Sequence, residues 1–473
     1  MDEEQSRFIE TFRTFIEEVL QSPRAFVEQR TPLGDVVAAF LRADIEAFPV
    51  ISEDLAPHRL VDADIALDEL AASGADTALD PPRVIGVGGG SQREHSTFAE
   101  LLRNPHVQFM PAPVDYVSSA TGPATERRTV SFGVRLLHLD GKPIAVLQRG
   151  PRDEYGRSSA RLEILAAEPE SAARLLTEVR RLMLERSVLR GQVLAFSGNE
   201  YGSGGAGADF LPRPVVSAED VVLAPGILDD IVRHVVGIGE QRTTLRAAGQ
   251  HLKRGVLLYG PPGSGKTLTV RHLLSSTPGT TAVLLTGTSI RFITHAADLA
   301  RAMQPAIVVL EDVDLVAMER DMYDGPQPLL FAVLDALDGL DGDADVAFVL
   351  TTNRVEVLER ALADRPGRVD LAVEIPLPDA DARRRLFSLY ARDLPLSEAA
   401  VTDAAEHADG VTGSFAKELM RRTVLLAAEE HRAPTDTDLA DALEALLSTR
   451  EQLTRRLLGA REDSHLPSQP GEE

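Results

Sequence analysis

The residues best suited to chemistry lie in one glycine-rich loop. Its sequence, GPPGSGKT at 260–267, fits the pattern G-x-x-x-x-G-K-[ST] and stands between an apolar run, Val256–Tyr259, and a helical pattern. Glycines let backbone N–H groups surround phosphate oxygens, and a helix that begins at about Lys266 directs its positive end at the same anion. Lys266 can reach the β- and γ-phosphates of a nucleotide, and the Thr267 hydroxyl can ligate Mg²⁺. The alternative is a plain Gly/Pro turn, but the strand and helix that a phosphate-binding loop requires are both indicated.

Two adjacent carboxylates form a second candidate. Glu311 and Asp312 follow the apolar run Ala306–Leu310, which reads as a buried strand. After a phosphate-binding loop, one carboxylate is expected to help hold the Mg²⁺ shell and the other to orient the attacking water. The alternative is a solvated acidic turn at the end of a buried strand.

Polar residues also follow the later strands. Asn353 closes the run Val346–Thr351, where its amide could hydrogen-bond the γ-phosphate or the attacking water, although asparagine at a strand end is also a turn former. Arg365 and Arg368 lie in the turn RPGRVD. A fixed guanidinium suits transition-state charge, and these two would act as arginine fingers if they faced a neighbouring subunit. The alternative is an arginine-rich surface turn.

Composition and charge exclude several classes of function. The chain has 473 residues and a formal net charge of −24, which opposes binding to nucleic acid or to an anionic membrane. It contains no cysteine, so thiol catalysis, disulfides and thiolate metal sites are excluded. No apolar run approaches about 18 residues, and the acidic N-terminus lacks the features of a signal peptide. We expect a cytoplasmic protein without a membrane anchor.

The elements that must position these residues alternate between strand and helix, which predicts a parallel α/β sheet. The predicted strands are 256–259, 281–285, 306–310, 346–351 and 371–375. From residue 380 onward only helical patterns occur. Upstream, apolar spacings of three and four predict helices over 5–57, residues 129–150 alternate like strands, and 162–165 could form a further strand. The predicted divisions are a helical region at 1–78, a small α/β partner-binding domain at 79–197, a linker at 198–214, a nucleotide-binding α/β domain at 215–376, a helical lid at 377–450 and a tail at 451–473.

Taken together, these motifs resemble those of the AAA+ ATPases of the AAA-proper clade. The resemblance covers roughly 221–447 and rests on GPPGSGKT, IVVLEDVD, LLFAVLDALDGL, TTN and RPGRVD. It implies a P-loop NTPase fold with a parallel five-stranded sheet and a C-terminal helical lid, ATP and Mg²⁺ as ligands, and a homo-oligomeric, usually hexameric, ring. The residues it implies for nucleotide binding are Gly260, Pro261, Pro262, Gly263, Ser264, Gly265, Lys266, Thr267 and Leu268, with Ile238 and Gly239 near the adenine.

Two departures from the family pattern bear on mechanism. The usual order of the two strand-end acids is Asp then Glu, whereas here Glu311 precedes Asp312. The inverted order is similar to that of the mitochondrial AAA translocase for folded Rieske protein, so we assign Glu311, with Thr267, to the Mg²⁺ side and Asp312 to the water, with slow hydrolysis. The family's aromatic–hydrophobic–glycine pore loop is matched by Phe292-Ile293, but the glycine is missing. These two residues could grip a polypeptide or could have no such role.

Three functions remain open at this point. The leading hypothesis is an ATP-hydrolysing ring that remodels a protein partner bound through residues 1–210. The alternative is a slow-hydrolysing, nucleotide-dependent switch or scaffold that does not thread polypeptide. A nucleic-acid motor is opposed by the acidic charge. No motif names the partner.

Overall fold

The computed structural model describes residues 13–14, 30–45, 48–74, 81–104, 106–197, 207–314, 332, 335–336, 343–356 and 369–448. Contacts between Cα atoms divide the chain into two compact units. The first comprises 1–188 with 198–207, and the second comprises 189–197 with 208–473. Within the described residues, no helix is long and apolar enough to cross a bilayer.

An antiparallel sheet organises the first unit. The strand order is β1-β7-β6-β5-β2-β3, and β4 pairs with β5 beside β2. A two-residue turn joins β5 to β6, and both of its residues, Asp140 and Gly141, have positive φ as this kind of hairpin requires. The strands are β1 Val50–Leu55, β2 Arg83–Val87, β3 Pro111–Ala112, β4 Asp115–Gly122, β5 Thr125–Leu139, β6 Lys142–Arg149 and β7 Ala160–Ala166.

Helices cover both faces of this sheet. Alternate residues of β5, β6 and β7 enter two separate apolar cores, because successive side chains of a strand point to opposite faces. One core includes α1 and α4, and the other includes α2 and α5. The helices are α1 Pro32–Leu41, α2 Leu60–Ser73, α3 Gln92–His95, α4 Phe98–Leu102 and α5 Pro169–Glu185, with 3₁₀ turns at Pro57–Arg59 and Asp153–Tyr155.

The structure corrects two predictions for this half. Residues 50–55, predicted as helix, form β1 and pair with β7 from Val50↔Leu165 to Leu55↔Ala160. Helix α1, from the predicted helical region, shares a core with β2, β5 and β6, so no boundary separates 1–78 from the predicted domain at 79–197. The apolar residues near position 50 have a helical spacing, but pairing with a distant strand overrides it.

A second sheet organises the second unit, in the order β14-β10-β13-β12-β11-β8-β9. The pairings β14–β10, β10–β13, β13–β12, β12–β11 and β11–β8 are parallel. The strands are β8 Val193–Ser197, β9 Gly207–Leu211, β10 Arg254–Tyr259, β11 Thr281–Thr286, β12 Ala306–Glu311, β13 Val346–Thr352 and β14 Leu371–Glu374. The central strands are buried on both faces, which explains their unbroken apolar sequences.

Two strands of this sheet differ from the sequence-based assignment. The run near 193, predicted as part of the small N-terminal domain, is β8 and pairs with β11 from Val193↔Ala282 to Ala195↔Leu284. The predicted linker at 198–214 contains β9, the strand next to β8. The sheet therefore has more strands than the predicted five, because β8 and β9 precede the predicted nucleotide-binding domain in sequence but belong to its sheet.

The helices of the second unit form two groups. Those near the sheet are α6 Ile227–Val232, α7 Ile238–Glu240, α8 Arg242–Ala247, α9 Lys266–Ser275 and α10 Ile293–Ala302, with a π-turn at Arg233–Gly237 and 3₁₀ turns at Ala218–Asp220 and Gly287–Phe292. The others pack around their own core and are here termed the helical subdomain: α11 Ala380–Ala391, α12 Glu398–His407, α13 Gly413–Glu429 and α14 Asp436–Leu447. Side chains of Asp379, Ser397 and Thr412 cap α11, α12 and α13.

Candidate functional site

A cavity of about 420 Å³ lies where the glycine-rich loop, the strand ends and the helical subdomain meet. One wall is polar and consists of residues 262–268 of the loop with Asp312 and Asn353. The facing wall is largely apolar and includes Val221, Val222, Leu223, Leu386 and Tyr390. The parallel order places the carboxyl end of β13 between those of β10 and β12, which is why these polar residues converge.

The backbone of the loop has a shape that side chains would block. Gly260 has φ +145°, and a Cβ there would lie 2.1 Å from the carbonyl oxygen of Ile375. Gly263 has φ +76°, and its Cβ would lie 2.7 Å from Ser414 Oγ. Positive φ at both positions, together with the backbone beside Gly260 and the side chains beside Gly263, explains why this segment needs glycine. Ser264 Oγ is buried and has no hydrogen-bond partner within the described part of the chain.

Lys266 is the buried cation of the cavity. It begins α9, is only 6% exposed, and its Nζ donates to the carbonyl oxygens of Gly260 and Pro261 at 2.8 Å each. Burial lowers the pKa of Lys266 to about 8, and the charges of Asp312 and Asp314 oppose this shift. A negatively charged ligand in the cavity would therefore gain the attraction of a poorly solvated ammonium group.

Glu311, the last residue of β12, does not line the cavity itself but interacts with Thr267, which does. The Thr267 hydroxyl hydrogen-bonds its carboxylate. Burial raises the pKa of Glu311, while the Thr267 hydrogen bond and the charge of Arg271 oppose this shift. Glu311 and Thr267 are thus adjacent, as expected for two groups that serve one metal ion.

Asp312 lies on the cavity side. It has φ +53°, a left-handed conformation that is uncommon for a residue other than glycine, and its N–H donates to Thr351 Oγ at 3.0 Å. Asn353 Nδ2 donates to Asp312 Oδ1 at 3.2 Å. The left-handed turn therefore directs Glu311 and Asp312 to different neighbours, although they are adjacent in sequence.

A model of the ATPase family associated with various cellular activities (AAA) matches residues 256–377, the segment that contains these strands and the loop. Residues 256–377 thus belong to an AAA domain. This match confirms the predicted recognition and, at the level of the fold class, the P-loop α/β architecture of the AAA domain.

Curated relatives agree with this assignment. A proteasome-activating nucleotidase of Archaeoglobus fulgidus is 31% identical over 254 residues, 50% of this chain and 63% of that protein. The ATP-dependent zinc metalloprotease FtsH 2 of Sphaerobacter thermophilus is 31% identical over 255 residues, 51% of this chain and 39% of that protein. A 26S proteasome regulatory subunit 4 homolog of Oryza sativa is 32% identical over 219 residues, 42% of this chain and 48% of that protein. The chain spans less than two thirds of each of these relatives.

The structure does not bring the predicted adenine contact, Ile238 and Gly239, to the cavity. Gly239 lies beside Arg254 and Asp345, with its Cβ position 3.0 Å from Arg254 Nη2. Arg254 is the first residue of β10, whereas the phosphate-binding loop follows the last, roughly 17 Å away for a six-residue strand. Ile238 and Gly239 therefore lie at the opposite edge of the sheet and do not line the cavity, which corrects their assignment.

Two contributions to the AAA site escaped the sequence reasoning. The segment Val221–Leu223 provides an apolar wall, and no periodic pattern marks it. Asp314 is 4% exposed and accepts hydrogen bonds from Thr352 Oγ at 2.9 Å and from the N–H of Asn353 at 3.2 Å. The motif EDVD contains Asp314, and a third acid two residues after the pair is the signal that could have revealed its role.

The remaining predicted residues divide into two groups. Arg365 and Arg368 lie outside the described residues of the AAA domain. Phe292 and Ile293 are described: Ile293 is 0% exposed, and the Phe292 ring lies 6.2 Å from that of Phe196 and 6.4 Å from that of His295. This pair packs within its own unit.

Proposed function

We propose that this AAA protein binds ATP with Mg²⁺ in the 420 Å³ cavity and hydrolyses it to ADP and phosphate. One observation carries the proposal: a glycine loop, a buried lysine, two differently directed carboxylates and an amide meet at one edge of a parallel sheet. The cavity volume falls in the range of small-molecule sites. Its two walls match a nucleotide, which has a polar phosphate end and an aromatic base.

In this proposal the phosphates lie against residues 260–268. Backbone N–H groups of the loop and the N-terminus of α9 bind the oxygens. Lys266 exchanges its two carbonyl contacts for β- and γ-phosphate oxygens, and the Ser264 hydroxyl, which has no partner among the described residues, faces the same ligand. The apolar residues Val221–Leu223, with Leu386, hold the base.

The acids suit a magnesium ion that is shared with substrate. Mg²⁺ is usually held by one or two carboxylates together with phosphate oxygens and water, rather than by a protein cage. No cluster of three or more acidic or histidine ligands occurs among the residues that the structure describes, whereas Glu311 and Thr267 are adjacent. Glu311 and Thr267 would therefore hold the ion, which would neutralise charge on the phosphates when bound.

Asp312 activates the attacking water in this mechanism. Its carboxylate lines the cavity and is oriented by the Asn353 amide and by its own backbone bond to Thr351. A carboxylate there can accept a proton from water as the water attacks the γ-phosphorus, while Asn353 keeps the water or the γ-phosphate in line. Aspartate is one methylene shorter than glutamate, so we expect slow turnover.

The test compares two conservative variants with the wild type. Asp312→Asn should bind Mg²⁺-ATP within about threefold of wild type and lose about 100-fold or more in turnover. Glu311→Gln should raise the Mg²⁺ concentration needed for half-maximal turnover, because it removes the negative charge of a proposed Mg²⁺ ligand. If Asp312→Asn turns over ATP at the wild-type rate, the assignment of the water-activating residue is wrong. If the wild type binds no nucleotide, the whole proposal fails.

We further propose that the protein works as a homo-oligomeric ring, hexameric by family resemblance, with Arg365 and Arg368 reaching the nucleotide of the next subunit. Turnover per subunit should then rise with protein concentration. Mixing Arg368→Ala subunits with Lys266→Ala subunits should restore part of the activity, because each supplies what the other lacks. Concentration-independent turnover with no complementation would exclude shared sites.

The proposed substrate is a protein, bound through residues 1–210, with no nucleic-acid or membrane partner. The relatives are named as a proteasome-activating nucleotidase, a proteasome regulatory subunit and an ATP-dependent protease, and all of these names concern proteolysis. The acidic charge supports a protein partner over nucleic acid. A cytoplasmic location remains a prediction.

The burial of Ile293 favours the second candidate function, a nucleotide-dependent switch that does not thread polypeptide. A pore loop must present its aromatic–aliphatic pair, whereas Ile293 is 0% exposed and Phe292 packs near Phe196. A switch predicts that unfolded casein leaves ATP turnover unchanged in wild type and in Phe292→Ala. Stimulation by casein that Phe292→Ala abolishes would establish threading instead.

A further inference from the structure

A second cavity, of about 310 Å³, lies at the edge of the parallel sheet opposite the nucleotide site. It is beside Arg254, the first residue of β10, and is lined by the π-turn, the segment that follows α9 and the beginning of β12. All of its lining residues belong to the second unit. Its volume suffices for a small molecule, and the proposed function gives it no role.

A buried ion pair forms the polar part of this cavity. Arg254 and Asp345 are 5% and 3% exposed, and Arg254 Nη1 donates to Asp345 Oδ1 at 2.8 Å. The guanidinium also donates to two backbone carbonyl oxygens, from Nε to Val235 at 2.9 Å and from Nη1 to Leu252 at 2.8 Å. These three hydrogen bonds fix the position of the guanidinium.

Each member of the pair has one polar atom without a partner. Among the residues that the structure describes, Asp345 Oδ2 is buried and accepts no hydrogen bond, and Arg254 Nη2 donates none. Gly239 leaves space beside Nη2, because a Cβ at this position would lie 3.0 Å from that nitrogen. Buried polar atoms are normally paired within the fold, so an open donor and an open acceptor on residues that line a cavity indicate a ligand.

The charges and the apolar walls of this cavity indicate the class of ligand. The charged lining residues are Glu240, Arg242, Arg254 and Asp345. Their formal charges cancel, so an ion of one sign gains little, whereas a zwitterion meets an opposite charge at each end. Apolar side chains supply much of the remaining wall: Val235, Val236, Pro278, Pro305 and Ile307. A small zwitterion with an apolar body therefore fits the lining.

We propose that this cavity binds a free α-amino acid with an apolar side chain. The ligand's carboxylate accepts from Arg254 Nη2, and its ammonium group donates to Asp345 Oδ2. These two groups of an α-amino acid are attached to one carbon atom, so both can reach a single ion pair. The apolar side chain lies against Val235 and Ile307. The inference does not depend on the proposed function, because the nucleotide cavity is a separate site.

The test measures the binding of L-leucine and of L-phenylalanine to the full chain by isothermal titration calorimetry at neutral pH. Each amino acid is compared with its amide, which lacks the carboxylate, and with its deaminated acid, which lacks the ammonium group. These analogues probe the unchanged protein, so this comparison does not require a variant to fold.

A pair of glycine variants locates the site. Gly239→Ala places a methyl group beside Arg254 Nη2 without removing the ion pair. Gly237→Ala is the matched control, because it lies two residues earlier, is absent from the cavity lining, and its Cβ would be 3.8 Å from Arg233 Cγ. Far-UV circular dichroism checks that both variants fold.

At least one of the two amino acids should bind with a Kd of about 1 mM or lower, and its amide and its deaminated acid should bind at least about tenfold more weakly. Gly239→Ala should weaken binding by about tenfold, and Gly237→Ala should leave it unchanged. The proposal is overturned if neither amino acid binds, as expected for a cavity that holds only water. It is also overturned if either analogue binds as tightly as its parent, or if Gly239→Ala behaves like Gly237→Ala.

Discussion

Two buried cations, one in each unit, are paired in opposite ways. In the first unit Arg135 is 4% exposed, and its guanidinium donates to Asp64, to Asp68 at 2.5 Å and to Gln148 at 2.8 Å. In the second unit Lys266 is 6% exposed, and its ammonium donates to two neutral carbonyl oxygens. Both are buried cations, but one is hydrogen-bonded to carboxylates and the other to uncharged backbone.

The same contrast extends to the neighbouring groups. In the first unit Arg149 and Glu163 form a buried ion pair at 2.9 Å, and Glu163 also accepts the N–H of Phe98 at 2.9 Å. In the cavity of the second unit Ser264 Oγ is buried without a partner among described residues. Buried polar groups are normally paired within the fold, so an incompletely paired set in a cavity indicates a ligand. The arginines of the first unit that pair with carboxylates instead have the pattern of structural residues.

Removing the buried cation Arg135 of the first unit should lower stability. Arg135→Met leaves Asp64 buried without its main cation, so we expect the free energy of unfolding of the first unit to fall by about 3–5 kcal/mol. Urea denaturation measures it. Arg161→Met is the control, because the Arg161–Asp54 pair at 2.7 Å is exposed and should contribute less than about 1 kcal/mol. Equal effects in the two variants would show that the buried pairs of Arg135 contribute no more stability than an exposed ion pair does.

The buried lysine of the cavity, Lys266, should respond to pH. The pKa of Lys266 is about 8 in the free protein, and phosphate oxygens should raise it on binding. The free protein loses this proton as pH rises, while the complex keeps it, so ADP affinity should fall about tenfold between pH 7 and pH 9. Calorimetry at pH 8.5 in buffers of different ionisation enthalpy should show proton uptake.

Lys266→Arg is the control for this titration, because a guanidinium stays charged over the whole range. It should show no proton uptake from this position at pH 8.5, where the phosphates of the nucleotide are already ionised. Uptake of the same size in Lys266→Arg would assign the proton to another group and refute the role of the lysine pKa.

A smaller effect on stability should come from Asp314, a buried carboxylate of the second unit. Thr352→Val removes the hydroxyl that donates to the buried Asp314 at 2.9 Å. We expect a loss of about 1–2 kcal/mol in the free energy of unfolding, because Asp314 retains the Asn353 N–H but loses one donor. Thermal denaturation would check this, with Thr402→Val on the surface of α12 as control. No loss relative to that control would show that Asp314 is not held in this way.

The sequence was most informative where chemistry and local structure coincide. Lys266, Thr267, Asp312 and Asn353 could be placed together because each follows an apolar strand, and parallel strands end at one edge of the sheet. Their hydrogen bonds could not be derived. The left-handed φ of Asp312 is accompanied by a hydrogen bond from its N–H to the Thr351 side chain of a neighbouring strand.

Long-range pairing explains what the sequence did not predict. The two residues Ile238-Gly239 carry too little pattern to predict which end of β10 they lie beside. The apolar cavity wall at Val221–Leu223 has no periodic pattern that would predict it. Val50–Leu55 was assigned to a helix, and the strand Val193–Ser197 to the N-terminal domain, because their partner strands are more than 80 residues away in sequence. In each case tertiary contacts override the local pattern.

The most direct test of the account is ATP turnover by wild type and Lys266→Ala, measured beside their thermal stability. If Lys266 is buried for the sake of a ligand, its removal should reduce turnover by about 100-fold or more and leave the apo-protein melting temperature unchanged or higher, since a poorly solvated charge is lost. If Lys266→Ala instead melts earlier and keeps its turnover, Lys266 is a structural residue like Arg135, and the distinction between these two buried cations is contradicted.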